Sequence, residues 1–171
     1  DTGLPQFSND TETHWYYLNF ARQSTKVLEE VDNMDNYNTN IVQKAKDEGN
    51  NAQLFKLVGD RTEFIIESYS GKYFRVFVED GASRIRSIEL TPDLSANYFT
   101  LVTPKKFVIG NWQIQNTSED GVGESDSYLY LNDFQGNAIC QYVNGDGGND
   151  IVFTPADPMG IEDVENGIGD D

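Results

Sequence analysis

Any chemistry in this chain must come from carboxylates, amides and hydroxyls. Asp and Glu number 29, while His14 and Cys140 are the only residues of their types. Two carboxylates held about 5–9 Å apart can hydrolyse a glycosidic bond. Among 29 acids, however, some pair meets that spacing by chance, so proximity assigns nothing. Ser70-Gly71 lacks the G-x-S-x-G elbow of serine hydrolases. No Gly-rich loop ends in Lys-Ser or Lys-Thr to cradle a phosphate. His14 sits at the domain edge, away from any triad. Cys140 lies in an alternating run and reads as a buried core thiol. One cysteine allows no internal disulfide framework and no Cys-based zinc site, and one histidine allows no HExxH centre. The expectation is a protein without catalytic residues, metal or cofactor.

Two loops are dense in oxygen donors, Asn144-Gly145-Asp146-Gly147-Gly148-Asn149-Asp150 and Glu119-Asp120-Gly121-Val122-Gly123-Glu124-Ser125-Asp126. Calcium takes six to eight oxygens, and the first loop occurs once rather than as a tandem array. It reads better as a Gly-rich hairpin tip, and the second as a surface insertion.

Composition narrows the partners. The 171 residues carry a net charge of -17, with a pI near 4.2. Such a surface repels nucleic-acid phosphates and anionic lipid. No apolar stretch approaches the roughly 20 residues that span a bilayer, so neither nucleic acid nor membrane insertion is expected. Aromatics make up 12% of the chain, enough large side chains to fill a core.

The elements that must position these groups are strands. Short aromatic and β-branched runs recur between Gly, Asn, Asp and Ser, as in Phe64-Ile65-Ile66-Glu67, Tyr73-Phe74-Arg75-Val76-Phe77-Val78 and Tyr128-Leu129-Tyr130-Leu131. The stretch Ile41 to Glu48 fits a helix or a strand. Gln53-Leu54-Phe55-Lys56-Leu57-Val58 repeats as Asn97-Tyr98-Phe99-Thr100-Leu101-Val102, and more weakly as Asp150-Ile151-Val152-Phe153-Thr154-Pro155. Each copy follows an opener: Trp15-Tyr16-Tyr17-Leu18, Phe64-Ile65-Ile66-Glu67 or Trp112-Gln113-Ile114-Gln115. Three units result, at about 13–60, 61–104 and 105–156, each with four short strands. One such unit cannot bury its own aromatics. Three around an axis can share a core and close their edges into a barrel. Alternation then sends Phe64, Ile66, Phe74, Val76, Trp112, Ile114, Leu129 and Leu131 inward. Residues 1–12 form an N-terminal extension, 13–158 the domain, and 159–171 a disordered acidic tail or linker.

A three-unit, twelve-strand chain with a Q-x-aromatic signature closing each unit resembles the ricin-type β-trefoil, the ricin B-like lectins. Gln53-Leu54-Phe55 is the clearest signature, Asn97-Tyr98-Phe99 is softened and Asp150-Ile151-Val152 is degenerate. The stretches Trp15 to Arg22 and Gln53 to Asp60 resemble, more narrowly, trefoil modules of secreted Bacteroidetes proteins. The resemblance implies an all-β trefoil and a non-catalytic carbohydrate-binding module of a larger exported bacterial protein. Its partners would be a glycan and other domains of the same polypeptide, and its location secreted, periplasmic or at the cell surface. The alternative is a protein–protein docking or spacer domain with no sugar site.

Ricin-type lectins place a carboxylate after the second strand of a unit, an aromatic after the third and a polar side chain near the signature. An aromatic face stacks on a sugar's C–H face while fixed donors and acceptors take its hydroxyls. In the third unit the resemblance puts Asn132 at the acidic position with Asp133 beside it. Tyr142 falls at the aromatic platform, and Asn149 and Asp150 at the polar end. In the first unit Glu30 and Gln53 match, but Ala45 falls where the platform should be. In the second, Phe77 and Ile88 occupy the acidic and aromatic positions. One stacked ring with two or three hydrogen bonds of about 1 kcal/mol each gives roughly millimolar binding.

Overall fold

Side-chain alternation sets the strands and their inner faces. In Phe64–Ser68 the buried residues are Phe64, Ile66 and Ser68, with Ile65 and Glu67 half-exposed between them. The same period of two runs through Phe55–Gly59 and Phe99–Val102. The computed structural model describes residues 2–35, 37–79, 82–89, 97–116, 129–141 and 145–159. Its strands are β1 (Trp15–Phe20), β2 (Lys26–Glu30), β3 (Ile41–Ala45), β4 (Phe55–Gly59), β5 (Phe64–Ser68) and β6 (Tyr73–Glu79). They continue with β7 (Ala82–Ile88), β8 (Phe99–Val102), β9 (Gln113–Asn116), β10 (Leu129–Phe134), β11 (Asn137–Gln141) and β12 (Ile151–Ala156). The ambiguous stretch after Ile41 is therefore strand β3. Of the acidic tail expected from 159 to 171, Met159 is described, its backbone amide donating to Asn51 Oδ1 at 2.9 Å, and 160–171 lie outside the described residues.

Six strands close a barrel. Antiparallel pairs run β12–β1, β1–β4, β4–β5, β5–β8 and β8–β9. A bridge between Trp112 and Ile151 joins the entry of β9 to β12 and completes the ring. Three hairpins, β2–β3, β6–β7 and β10–β11, cap one end. They meet through Asn137–Val42 and Ile139–Arg84. A closed barrel capped by three hairpins is the β-trefoil, and it leaves the barrel strands no free edge.

Register exposes the threefold repeat. The first and fourth strands of each unit pair at Tyr16–Phe55, Phe64–Phe99 and Trp112–Ile151. Between units, Leu57 faces Ile66, Leu101 faces Ile114 and Phe153 faces Leu18. These residues, with Phe20, Phe74, Val76 and Leu131, form one buried cluster. Each buried aromatic or leucine there is worth about 1.5–3 kcal/mol relative to exposure. Within the cluster, Phe55 and Phe74 meet edge to face at 5.3 Å. The residues expected inside are inside, except Leu129, of which only the backbone is described.

One alignment shifts by a residue. Tyr16, rather than Trp15, is the counterpart of Phe64 and Trp112. Trp15 instead looks outward, with Tyr69 at 5.2 Å and the Lys56 ammonium 5.2 Å from its ring. Gly59, with φ +133, closes β4 where a Cβ would come 2.4 Å from the Glu63 carbonyl, so the turn requires glycine.

Candidate functional site

The third unit is built on the β10–β11 hairpin and a short 3-10 turn, Gly147–Asn149, that leads into β12. Asp146 caps that turn by accepting the Gly148 amide at 2.7 Å. The Asn132 side chain donates to Asn149 Oδ1 at 2.8 Å and reaches Asp146 Oδ1 at 3.5 Å. Asn132 and Asn149 are buried, at 2% and 0% exposure, and half-buried Asp146 carries their network toward the surface. A depression of about 330 Å3 opens there, lined by Asp146, Asp150, Gln113, Lys106, Val108 and Pro104 among others.

Asp133 points elsewhere. Its Oδ2 accepts from Arg22 Nε at 2.7 Å and Gln23 Nε2 at 3.0 Å. Its Oδ1 accepts from Gln43 Nε2 at 2.6 Å. Arg22 also donates to the Asp133 carbonyl at 2.9 Å. The carboxylate thus clamps the first unit to the third. Burial alone would raise its pKa, but the hydrogen bonds from Arg22, Gln43 and Gln23, with the guanidinium charge, outweigh that and hold it below the usual carboxylate range. Gly148 lies beneath this arginine, where a Cβ would sit 2.8 Å from the guanidinium carbon. Asp150 is half-buried; its Oδ1 accepts from Gln113 at 2.7 Å and its Oδ2 from Asn111 at 3.3 Å. Tyr142 lies outside the described residues. Of the expected site, then, Asn132 and Asn149 meet directly. Asp150 lines the depression, and Asp133 is spent on an inter-unit clamp.

The first unit repeats this plan. Asn50 caps the turn Asn51–Gln53 through the Ala52 amide at 3.0 Å. Gln53 Nε2 donates to Glu29 Oε1 at 2.9 Å, and Asn50 Nδ2 reaches the same oxygen at 3.2 Å. Glu29, Asn50 and Gln53 therefore correspond to Asn132, Asp146 and Asn149. The carboxylate at the matching position is Glu29, one residue before Glu30. The third signature is correspondingly Asn149-Asp150-Ile151, one residue earlier than its expected register. In the second unit Asn97 is buried and donates to the Phe74 carbonyl at 2.8 Å, leaving no equivalent cluster among the described residues. Sequence reasoning missed Arg22 and Asp146. The signal for Asp146 was its cap position three residues before the signature amide, shared with Asn50.

Comparison with solved structures places the fold. A β-trefoil named BEL, in an apo crystal form, superposes with a TM-score of 0.63 at 16% identity, over 90% of this chain and all of that one. The fold is the β-trefoil. The ricin B-like lectin of Macrolepiota procera in complex with lactose matches at TM-score 0.55 and 12% identity, covering 86% of this chain and 97% of the lectin. A GlcNAcα1-4Gal-releasing endo-β-galactosidase from Clostridium perfringens matches at TM-score 0.62 and 13% identity, covering 84% of this chain but 33% of that enzyme. No family model and no curated protein matches the sequence.

Proposed function

We propose that this chain is a non-catalytic, lectin-like carbohydrate-binding module whose ligand sits on the third unit. The observation that carries the reading is the depression beside Asp146 and Asp150, backed by the buried Asn132–Asn149 pair. Asp146 and Asp150 offer acceptors to sugar hydroxyls, and the Gly148 backbone amide holds the Asp146 carboxylate in place at 2.7 Å. Tyr142, following β11, supplies the apolar platform. Asp133 acts at one remove, holding β10 against Arg22. The lactose complex of the Macrolepiota procera lectin supports a saccharide as ligand for this fold. A single such site binds at roughly millimolar strength, so useful retention needs repeated sites on a glycan or a linked module. The endo-β-galactosidase, of which the matching region is a third, supports a larger bacterial protein as the setting.

A glycan array with galactose-, glucosamine- and sialic-acid-containing oligosaccharides tests this. Binding of the neutral oligosaccharides that Tyr142→Ala abolishes is the expected result. Silence across the array with an intact fold rejects it. A second reading, a docking or spacer domain, is favoured by the inward placement of Asn132, Asp133 and Asn149. Under it, no saccharide binds and a protein partner does.

A further inference from the structure

The outer face of the β6–β7 hairpin has a composition unlike the rest of this acidic molecule. Three cross-strand rungs cover it: Tyr73–Ile88, Arg75–Arg86 and Phe77–Arg84. All six side chains are half-buried, while Phe74, Val76, Ile85 and Ser87 turn into the core from the same strands. The Arg75 and Arg86 guanidinium carbons lie 4.8 and 4.6 Å from the Phe77 ring centroid. Directly opposed like charges destabilise a sheet pair, so this rung is unfavourable as it stands.

Arg86 is anchored, donating Nε to the Asn38 carbonyl at 2.8 Å, and both it and Arg84 have further partners. Arg75 is different. Its Nε is buried with no hydrogen-bond partner, a state it shares with Arg84 Nε, but no described carboxylate lies within ion-pair distance of Arg75. A buried guanidinium donor left unsatisfied is costly, and a planar fork fits a carboxylate or sulfate.

We propose that this hairpin face is an anion subsite in which Arg75, with Arg86 and Phe77 beside it, binds the single carboxylate or sulfate of an otherwise neutral saccharide. The limit to one acidic group follows from the net charge of -17. A dense polyanion would be repelled by the rest of the surface, whereas one charge is drawn in only at close range, within about one Debye length of 8 Å. Charge selectivity rests on the hairpin alone. The saccharide character rests on the lectin-like reading above.

The test follows the Arg75 Nε–Hε resonance of the isotopically labelled full chain during titration. The probes are lactose, 3′-sulfolactose, 3′-sialyllactose and sodium sulfate, each at low and high salt. The proposal expects the two acidic trisaccharide or disaccharide probes to shift that resonance and bind about tenfold more tightly than lactose. Arg75→Gln should remove the preference, Arg75→Lys should restore part of it, and Tyr142→Ala should leave it intact. Equal binding of lactose and 3′-sulfolactose, or an unchanged preference in folded Arg75→Gln, overturns the proposal. If Arg75→Gln fails to fold, an Arg75 signal in the native chain that ignores every anion overturns it as well. Sulfate shifting Arg75 with the same affinity as 3′-sulfolactose would sustain the anion subsite and reject the saccharide reading.

Discussion

Asp133 shows how a residue that looks like a ligand can be a fastener. Its two oxygens accept three side-chain donors from the first unit, and its side chain is 3% exposed against 54% for its partner Arg22. Because its folded pKa is depressed, the clamp contributes fully above the unfolded carboxylate value near 4 and is lost as pH falls through the folded pKa. Asp133→Asn should therefore lower stability at pH 7, by about 2 kcal/mol, and the gap to the native chain should close as pH drops below about 4. Urea melts from pH 7 to pH 2 measure it; a pH-independent gap would remove the ionised carboxylate from the account. The sequence shows an acid beside Asn132 but not the donors that meet it, since Arg22 and Gln43 stand 111 and 90 positions away. Such contacts depend on how units dock, which local spacing does not encode.

At the scale of elements, most of the strand pattern was legible because alternation is local. The registers that slipped did so where neighbours are chemically alike. Trp15 and Tyr16 are adjacent aromatics, and only the pairing of Tyr16 with Phe55 decides which one is inside. Asn149 and Asp150 are adjacent polar residues, and the cap by Asp146 decides which one plays the part of Gln53. The loop before β9 carries a different lesson. Phe107, Val108 and Ile109 are 61%, 46% and 70% exposed, a run of bulky apolar residues outside the core. Replacing Phe107 and Ile109 together by Ser should move stability by no more than about 0.5 kcal/mol while reducing self-association in sedimentation. A large drop in melting temperature would mean the loop is packed and buried in solution.

For the whole molecule, three units share one interior, so none should unfold alone. Phe64 belongs to the second unit, pairs across to Phe99 and touches Phe7 at 5.4 Å, ahead of the first. Phe64→Ala should cost about 3–5 kcal/mol and still give one cooperative transition by calorimetry. Separate transitions would mean that the units are independent. The threefold plan was readable because burying aromatics demands it. The ligand was not, since the same barrel serves proteins with different tasks and the site depends on a few polar groups at its rim.

The central claim is that a saccharide sits on the third unit. Its most direct test is to record the side-chain amide signals of Asn132 and Asn149 while titrating lactose-containing oligosaccharides into the full chain. These amides lie behind Asp146, so binding there should shift both, saturating at roughly millimolar ligand, and Tyr142→Ala should abolish the shifts. If saccharides bind while both amides stay still, or if none binds at all to the folded chain, the third-unit site is wrong.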